Sequence, residues 1–176
     1  GILFAGASGI RLWKTLAQDF PGLPVMNRGF GGAQFSDMVH FADRVITNYR
    51  PSVIVLQGAA NDLNAKKTPE QVLTDFKSLT AKLRHALPDT KIVFLGINPS
   101  PSRWEQREAQ QTTNELLKEH LRSLRNTVFV DLWDDMLGAN GQPREELFVA
   151  DKLHPSALEY KRRAELIMPH LKSNQR

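Results

Sequence analysis

Cysteine is absent from the chain, and its absence excludes several kinds of site. Without thiols the protein has no disulfide, no thiolate nucleophile and no zinc–thiolate centre. Long apolar runs are lacking too: none approaches the ~20 residues that a membrane-spanning helix requires, so we expect no integral membrane segment. No repeat, linker or low-complexity segment interrupts the 176 residues, of which 41% are hydrophobic. We therefore expect one domain over residues 1–176.

The chain also lacks a strong excess of charge of either sign. Its 23 lysines and arginines against 19 aspartates and glutamates give a formal net charge of +4. The basic residues are spread out, with short clusters only at Lys66-Lys67 and Lys161-Arg162-Arg163. We interpret these clusters as solvated surface and expect no nucleic-acid partner.

The chain starts inside a predicted strand, without a recognisable signal peptide. Two interpretations of the compartment follow, a cytoplasmic location or export after removal of an N-terminal leader. The sequence patterns favour no particular oligomeric state.

Five apolar segments predict buried parallel strands. They are short, rich in Val, Ile, Leu and Phe, and do not alternate with polar residues, as expected for strands covered on both faces. The segments are Ile2–Ala5, Pro24–Asn27, Val53–Gln57, Lys91–Ile97 and Thr127–Asp131. Helical periodicity fills the gaps between them. This alternation predicts a three-layer α/β/α sandwich with right-handed crossovers and a flavodoxin-like sheet of order 2-1-3-4-5.

Two of the predicted helices have clear apolar faces. The first face comprises Phe35, Met38, Phe41, Val45 and Tyr49, and the second comprises Val72, Phe76, Leu79 and Leu83. Thr68-Pro69-Glu70-Gln71 predicts the start of the second helix, because Thr suits the N-cap, Pro the first turn and Gln the third position after the cap.

Polar and glycine residues follow the first three strands. Ser8, Gly32 and Asn61 all come shortly after a strand ends. In an open parallel sheet, ligands bind beyond the carboxyl ends of the strands, and the order 2-1-3-4-5 makes these three ends neighbours. The sequence therefore predicts a site at this edge.

Each of these residues has two interpretations. Ser8 is either the N-cap of a short helix or a nucleophile beside its own backbone N–H. Gly32, in Gly29-Phe30-Gly31-Gly32, either makes a tight turn or donates a backbone N–H to an oxyanion. Asn61 either forms a turn with Asp62 or donates its side-chain amide, while Asp62 is expected to hold the loop through backbone N–H groups.

One of the five histidines differs from the others. His154 lies in a loop before the last predicted helix, three residues after Asp151. This spacing lets one loop present a base together with the carboxylate that orients it. The acidic group Asp131, Asp134 and Asp135 could suggest magnesium. Phosphoryl-transfer sheets of this type instead place an aspartate after the first strand, where this chain has Gly6-Ala7-Ser8. We expect no metal and no cofactor.

Taken in order, the motifs Gly6-Ala7-Ser8, Gly32, Asn61-Asp62 and Asp151-Lys152-Leu153-His154 resemble those of the SGNH (GDSL-type) hydrolases. This family comprises esterases and lipases with a flavodoxin-like sheet. The resemblance implies that Ser8 is the nucleophile, that His154 and Asp151 complete a triad, and that Gly32 and Asn61 are oxyanion donors. It implies a serine esterase acting on short-chain carboxylic esters, including acetylated carbohydrates or lipids, through an acyl-enzyme.

The chain departs from the family pattern at three places. Ala7 replaces the middle residue of Gly-Asp-Ser, Ala59 replaces the glycine of Gly-x-Asn-Asp, and Pro155-Ser156 follows His154. The departures at Ala7 and Ala59 motivate an alternative, a carbohydrate- or lipid-binding module with weakened catalysis. We expect segments 98–104 and 132–147, with Trp104 and Trp133, to line the acyl site.

Overall fold

The computed structural model describes residues 1–172, which are built around a five-stranded parallel sheet. Its strands are β1 (Ile2–Ala5), β2 (Val25–Asn27), β3 (Val53–Gln57), β4 (Lys91–Leu95) and β5 (Thr127–Val130). The order β2-β1-β3-β4-β5 confirms the predicted topology, and every neighbouring pair is parallel. β4 ends earlier than predicted because the N–H of Ile97 donates to the side chain of Asn114 (2.8 Å).

Helices cover both faces of this sheet. They are α1 (Ser8–Arg11), α2 (Leu16–Asp19), α3 (Phe35–Val45), α4 (Ala60–Asn64), α5 (Pro69–Ala86), α6 (Arg107–Arg122) and α7 (Ala157–Ile167). A 3₁₀ helix, Pro101–Gln106, lies between β4 and α6. Among residues 1–172, no helix combines the length and the apolar character needed to cross a bilayer.

The two faces of the sheet carry separate apolar layers. Residues that alternate along each strand point to opposite sides, so Leu3 and Ile54 pack with α3, α5 and α6, whereas Phe4 and Val55 pack with α1, α2 and α7. Aromatic rings anchor each layer. Phe35 and Phe76 lie 5.1 Å apart on the first side, and Phe4 and Trp13 lie 5.6 Å apart on the second. The sheet is therefore buried on both faces.

The predicted helix faces fit the structure unequally. α5 starts as predicted, with the N–H of Gln71 donating to the Thr68 hydroxyl (3.2 Å). The face assigned to the preceding helix is wrong at its far end, because α3 stops at Val45 and a 3₁₀ turn follows at Thr47–Tyr49. Tyr49 is consequently exposed, and the Arg28 guanidinium covers its ring at 4.9 Å. Phe41 is exposed as well, although it lies within α3.

A buried ion pair ties α7 to the end of β3. Glu159 and Arg163 lie one turn apart with their charged groups 3.3 Å from each other, and both side chains are almost fully buried. Arg163 also donates to the side-chain oxygen of Gln57 at 3.2 Å. Burial raises the pKa of Glu159, while the positive charges of Arg163 and Arg162 oppose this shift. Each member of the pair thus depends on the other for its charge balance.

The turn from β3 into α4 contains a strained alanine. Ala59 has φ +84°, a left-handed conformation that favours glycine, and its side chain is buried in the apolar layer with α3 and α5. Such a conformation costs a non-glycine residue about 1–3 kcal/mol. The turn places Asn61 in the first turn of α4.

Replacing Ala59 with glycine should relieve this strain. The gain outweighs the loss of one buried methyl group and the larger entropy of the unfolded chain, so we expect the free energy of unfolding to rise by up to about 1 kcal/mol. The matched control is Ala42→Gly within α3, for which the free energy of unfolding should fall by about 2 kcal/mol. Urea titration of both variants measures this difference. If Ala59→Gly lowered the free energy of unfolding as much as Ala42→Gly does, the turn would not be strained.

Replacing Glu159 with glutamine should destabilise the fold strongly. The Arg163 charge would stay buried without a partner, which costs about 3–5 kcal/mol of unfolding free energy. The control is Glu119→Gln, which breaks the exposed pair with Arg122 and should cost less than about 1 kcal/mol. Chemical denaturation compares the two variants. Equal, small losses would show that the buried pair does not hold α7 in place.

Candidate active site

Ser8 is the first residue of α1, and only Gly6 and Ala7 separate it from the end of β1. The helix N-cap is Ala7, so the N-cap interpretation of Ser8 is wrong. The Ser8 hydroxyl oxygen instead lies 2.9 Å from Nε2 of His154, at hydrogen-bond distance. Gly6 permits the sharp exit from β1, since a β-carbon there would lie only 2.6 Å from the carbonyl oxygen of Gln57.

His154 and Asp151 belong to one short loop before α7. The N–H of Val149 donates to the carbonyl of His154 (2.9 Å), which closes the loop. Nδ1 of His154 is hydrogen-bonded to one oxygen of the Asp151 carboxylate. The other carboxylate oxygen accepts the backbone N–H groups of Leu153 and His154, each at 2.9 Å. Ser8, His154 and Asp151 therefore form a continuous hydrogen-bonded chain.

The same hydrogen bonds control the charge of Asp151. The backbone N–H of His154 lowers the pKa of this carboxyl most, followed by the His154 side chain, and together with smaller contributions they bring it to about 2. The carboxylate is consequently ionised at neutral pH. An ionised acceptor at Nδ1 keeps the proton on that nitrogen and leaves Nε2 free to accept a proton.

Ser8, Gly32 and Asn61 line one cavity, and each carries an N–H group that could serve as a donor there. Within residues 1–172, neither the backbone N–H of Ser8 nor that of Gly32 has a hydrogen-bond acceptor. Gly32 has φ +72°, which a residue with a side chain rarely adopts. The amide nitrogen of Asn61 donates to the carbonyl of Ala33 (3.2 Å), and its second N–H is left over.

Two neighbours fix the orientation of the Asn61 amide. Arg103 donates from Nη1 to the side-chain oxygen of Asn61 at 3.2 Å, on the opposite side from Ala33. Asp62 is fully buried and accepts the N–H of Phe35 at 3.2 Å, so it ties α4 to the start of α3 through a backbone group, as predicted. Burial raises the pKa of Asp62.

A cavity of about 390 Å³ lies over these groups. Ser8, Gly32, Asn61 and His154 all line it, at the predicted edge of the sheet. The loop after β4 contributes Asn98, Ser100 and Arg103, in line with the expectation for segment 98–104.

The expected contribution of segment 132–147 and of the two tryptophans is wrong. Among the described residues, no member of 132–147 lines the cavity, and Trp104 does not line it either. The physical reason is that Trp104 and Trp133 stack on each other, with ring centroids 6.4 Å apart and planes 21° apart. Each ring therefore packs its apolar face against the other ring and does not contribute it to the cavity.

Sequence patterns missed four polar residues of the cavity wall, namely Arg11, Gln57, Gln110 and Arg163. Gln57 ends an apolar strand and Gln110 stands alone on a polar helix, so neither belongs to a motif or a period. The interpretation of Arg163 as solvated surface is wrong, because its side chain is 1% exposed. Arg103 falls within the expected segment 98–104, although no motif includes it. The polar ending of β3 is the one sequence signal that could have indicated Gln57. Within residues 1–172, no group of three or more His, Asp or Glu side chains is arranged to hold a metal ion.

Comparisons with solved structures show the fold. A Streptococcus pneumoniae protein provisionally named a platelet activating factor is 23% identical, with a TM-score of 0.88 over 97% of this chain and 83% of its own. A GDSL-like lipase from Bacteroides thetaiotaomicron is 18% identical, with a TM-score of 0.79 over 96% and 85%. A variant of an acetyl-xylooligosaccharide esterase from Geobacillus stearothermophilus is 14% identical, with a TM-score of 0.77 over 99% and 95%.

Sequence comparison gives the family. No curated protein matches the chain. The profile of the GDSL-like lipase/acylhydrolase family matches residues 4–162, which include every candidate residue from Ser8 to His154. The chain belongs to the GDSL-like lipase/acylhydrolase family of hydrolases.

Proposed function

We propose that the protein is a serine esterase that hydrolyses short-chain carboxylic esters through a Ser8–His154–Asp151 triad. One observation carries this proposal. The Ser8 hydroxyl oxygen lies 2.9 Å from Nε2 of His154, whose other ring nitrogen is hydrogen-bonded to Asp151. A hydroxyl with a base at this distance, and a carboxylate to orient that base, is the arrangement that activates a serine nucleophile.

The reaction has two balanced steps. Nε2 of His154 takes the proton of Ser8 while the serine oxygen bonds to the ester carbonyl carbon. The resulting tetrahedral intermediate expels the alcohol, which receives that proton from the imidazolium, and an acyl-enzyme forms. Water then attacks the acyl carbon in the same way and releases the carboxylic acid and Ser8. Asp151 stays ionised and stabilises the imidazolium in both steps.

Three donors are available for the negative charge of the tetrahedral intermediate. They are the backbone N–H groups of Ser8 and Gly32 and the remaining N–H of Asn61. Because they are fixed before the substrate arrives, they need no reorganisation when the charge develops. The contact of Asn61 with Arg103 supports this role, since it keeps the amide oxygen turned away from the carbonyl of Ala33.

The cavity supports a small acyl group. Its volume of about 390 Å³ is near the lower end of ligand sites, which span about 300–1,000 Å³. Its wall carries amide and hydroxyl side chains at Asn98, Ser100 and Gln110. These groups suit a hydroxylated alcohol such as a sugar, and the structural neighbour from Geobacillus stearothermophilus is an acetyl-xylooligosaccharide esterase. Acetylated carbohydrates are therefore our preferred substrates.

The alternative of a binding module with weakened catalysis has less support. It drew on the departures at Ala7 and Ala59. Ala59 has its methyl group in the apolar core and does not line the cavity. Ala7 lines the cavity but replaces no group that reacts in the proposed mechanism.

The direct test is covalent labelling of the nucleophile. A fluorophosphonate should add to Ser8, because among the serines of residues 1–172 only Ser8 has its hydroxyl within hydrogen-bond distance of an imidazole. Mass spectrometry of the digested protein locates the label, and Ser100→Ala is the control that keeps Ser8. No label on Ser8, together with 4-nitrophenyl acetate turnover equal to that of Ser8→Ala, would favour the binding module.

Replacing Asn61 with alanine should remove one oxyanion donor. We expect kcat for 4-nitrophenyl acetate to fall about 10²–10³-fold, because a donor of this kind contributes about 3–4 kcal/mol to transition-state stabilisation. Asn64→Ala, at the end of the same helix, is the matched control and should keep kcat within about threefold. Circular dichroism checks that both variants fold. Equal turnover in the two variants would remove Asn61 from the mechanism.

A further inference from the structure

Two arginines stand next to the groups proposed as oxyanion donors. Arg103 contacts the side chain of Asn61. Arg11, the last residue of α1, reaches over the glycine turn: a β-carbon built on Gly31 would lie 3.3 Å from its Nε. Both side chains line the cavity. Two positive charges therefore lie in the wall of the cavity that contains Ser8.

Within residues 1–172, neither arginine has a carboxylate within 4 Å. The third arginine of the wall, Arg163, differs because Glu159 balances it. No aspartate or glutamate of the described chain lines the cavity. The unbalanced charge on the wall is thus positive.

Of the two arginines, Arg103 gives the stronger evidence for a missing anionic partner. Its guanidinium is half-buried, and within the described residues its single hydrogen-bond acceptor is the neutral amide oxygen of Asn61. Burial lowers the pKa of Arg103, which is the expected direction for a cation without a countercharge. Partly desolvating a charge is unfavourable unless a partner compensates it. Four of its five N–H donors are left for that partner.

The side chain of Gln110 is a second polar group of the cavity wall, and in the described part of the chain it lacks a hydrogen-bond partner for its oxygen. Gln110 on α6 is 1% exposed, and within residues 1–172 its side-chain oxygen accepts no hydrogen bond. Its amide lines the same cavity as Arg103. A buried acceptor of this kind is normally satisfied by water or by a donor group of a ligand, such as a hydroxyl, and it does not itself bind an anion.

We propose that the preferred esters carry a second, anionic group, which Arg103 binds and Arg11 attracts. Carboxylate is the simplest such group, and the planar fork of arginine matches its two oxygens. The inference rests on the proposed esterase activity, and it adds that the substrate carries a negative charge outside the reacting carbonyl. A charge-assisted bond at a half-buried site should favour the anionic ester about 10–100-fold in kcat/KM.

The test uses two pairs of esters whose members differ only in carboxylate against carboxamide. One pair, 4-acetoxybenzoate and 4-acetoxybenzamide, places the charge on the alcohol side. The other pair, monoethyl succinate and ethyl succinamate, places it on the acyl side. The ratio of kcat/KM within a pair cancels any effect of a variant on the common chemical step, so it isolates recognition of the charge.

Three proteins are compared: the unmodified protein, Arg103→Gln and the control Arg107→Gln. Arg107 also lacks a carboxylate partner within the described residues, but its side chain lies over Trp104 and outside the cavity. We expect a ratio of about 10–100 in at least one pair, a ratio within about threefold of unity in Arg103→Gln, and no change in Arg107→Gln. Raising sodium chloride from 0.05 to 0.5 M should lower the ratio of the unmodified protein.

Three outcomes would overturn the inference. Ratios near unity in both pairs, with 4-nitrophenyl acetate still hydrolysed, would reject the anionic substrate and leave the esterase proposal intact. A ratio that Arg103→Gln retains while it slows both esters equally would show that Arg103 acts only by positioning Asn61. Turnover of no ester, without a fluorophosphonate label on Ser8, would reject both proposals.

Discussion

The close approach of β1 to β3 at Gly6 is the constraint on which the site depends. With no β-carbon at this position, the chain passes against the carbonyl of Gln57 and turns at once into α1. That turn puts Ser8 at the first helical position, with its N–H free and its hydroxyl toward His154. The Gln57 side chain in turn accepts a hydrogen bond from Arg163, so β3 and α7 are joined directly.

Most of the fold could be predicted from the sequence because its signals are local. Buried parallel strands are continuous apolar runs, and the start of α5 is indicated by four adjacent residues, Thr68-Pro69-Glu70-Gln71. The failures arose where tertiary contacts decide. The N–H of Ile97 donates to the side chain of Asn114 just beyond the end of β4, and α3 stops at Val45, before Tyr49. Neither effect is visible in periodicity.

The same distinction between local signals and tertiary contacts applies to the candidate site. Residues in motifs at strand ends, such as Ser8 and Asn61, could be named from order and spacing, and the structure brings them to one cavity. Arg103 and Gln110 could not, because their importance lies in what they lack, a carboxylate and a hydrogen-bond partner respectively. A missing countercharge or hydrogen-bond partner can be recognised only when the folded structure is known. Under the proposed function these two residues bear on the choice of substrate, whereas the motifs bear on the reaction.

The Asp151–His154 pair is held within one short loop. Both oxygens of the carboxylate are bound by groups no more than three residues away, and the imidazole is one of those groups. By contrast, the contact between His154 and Ser8 joins residues 146 positions apart. The loop has a second distant contact, since the N–H of Ser102 donates to the carbonyl of Lys152 (3.1 Å). If the loop shifts as a rigid unit, the Asp151–His154 pair therefore stays intact, while the distances to Ser8 and Ser102 change.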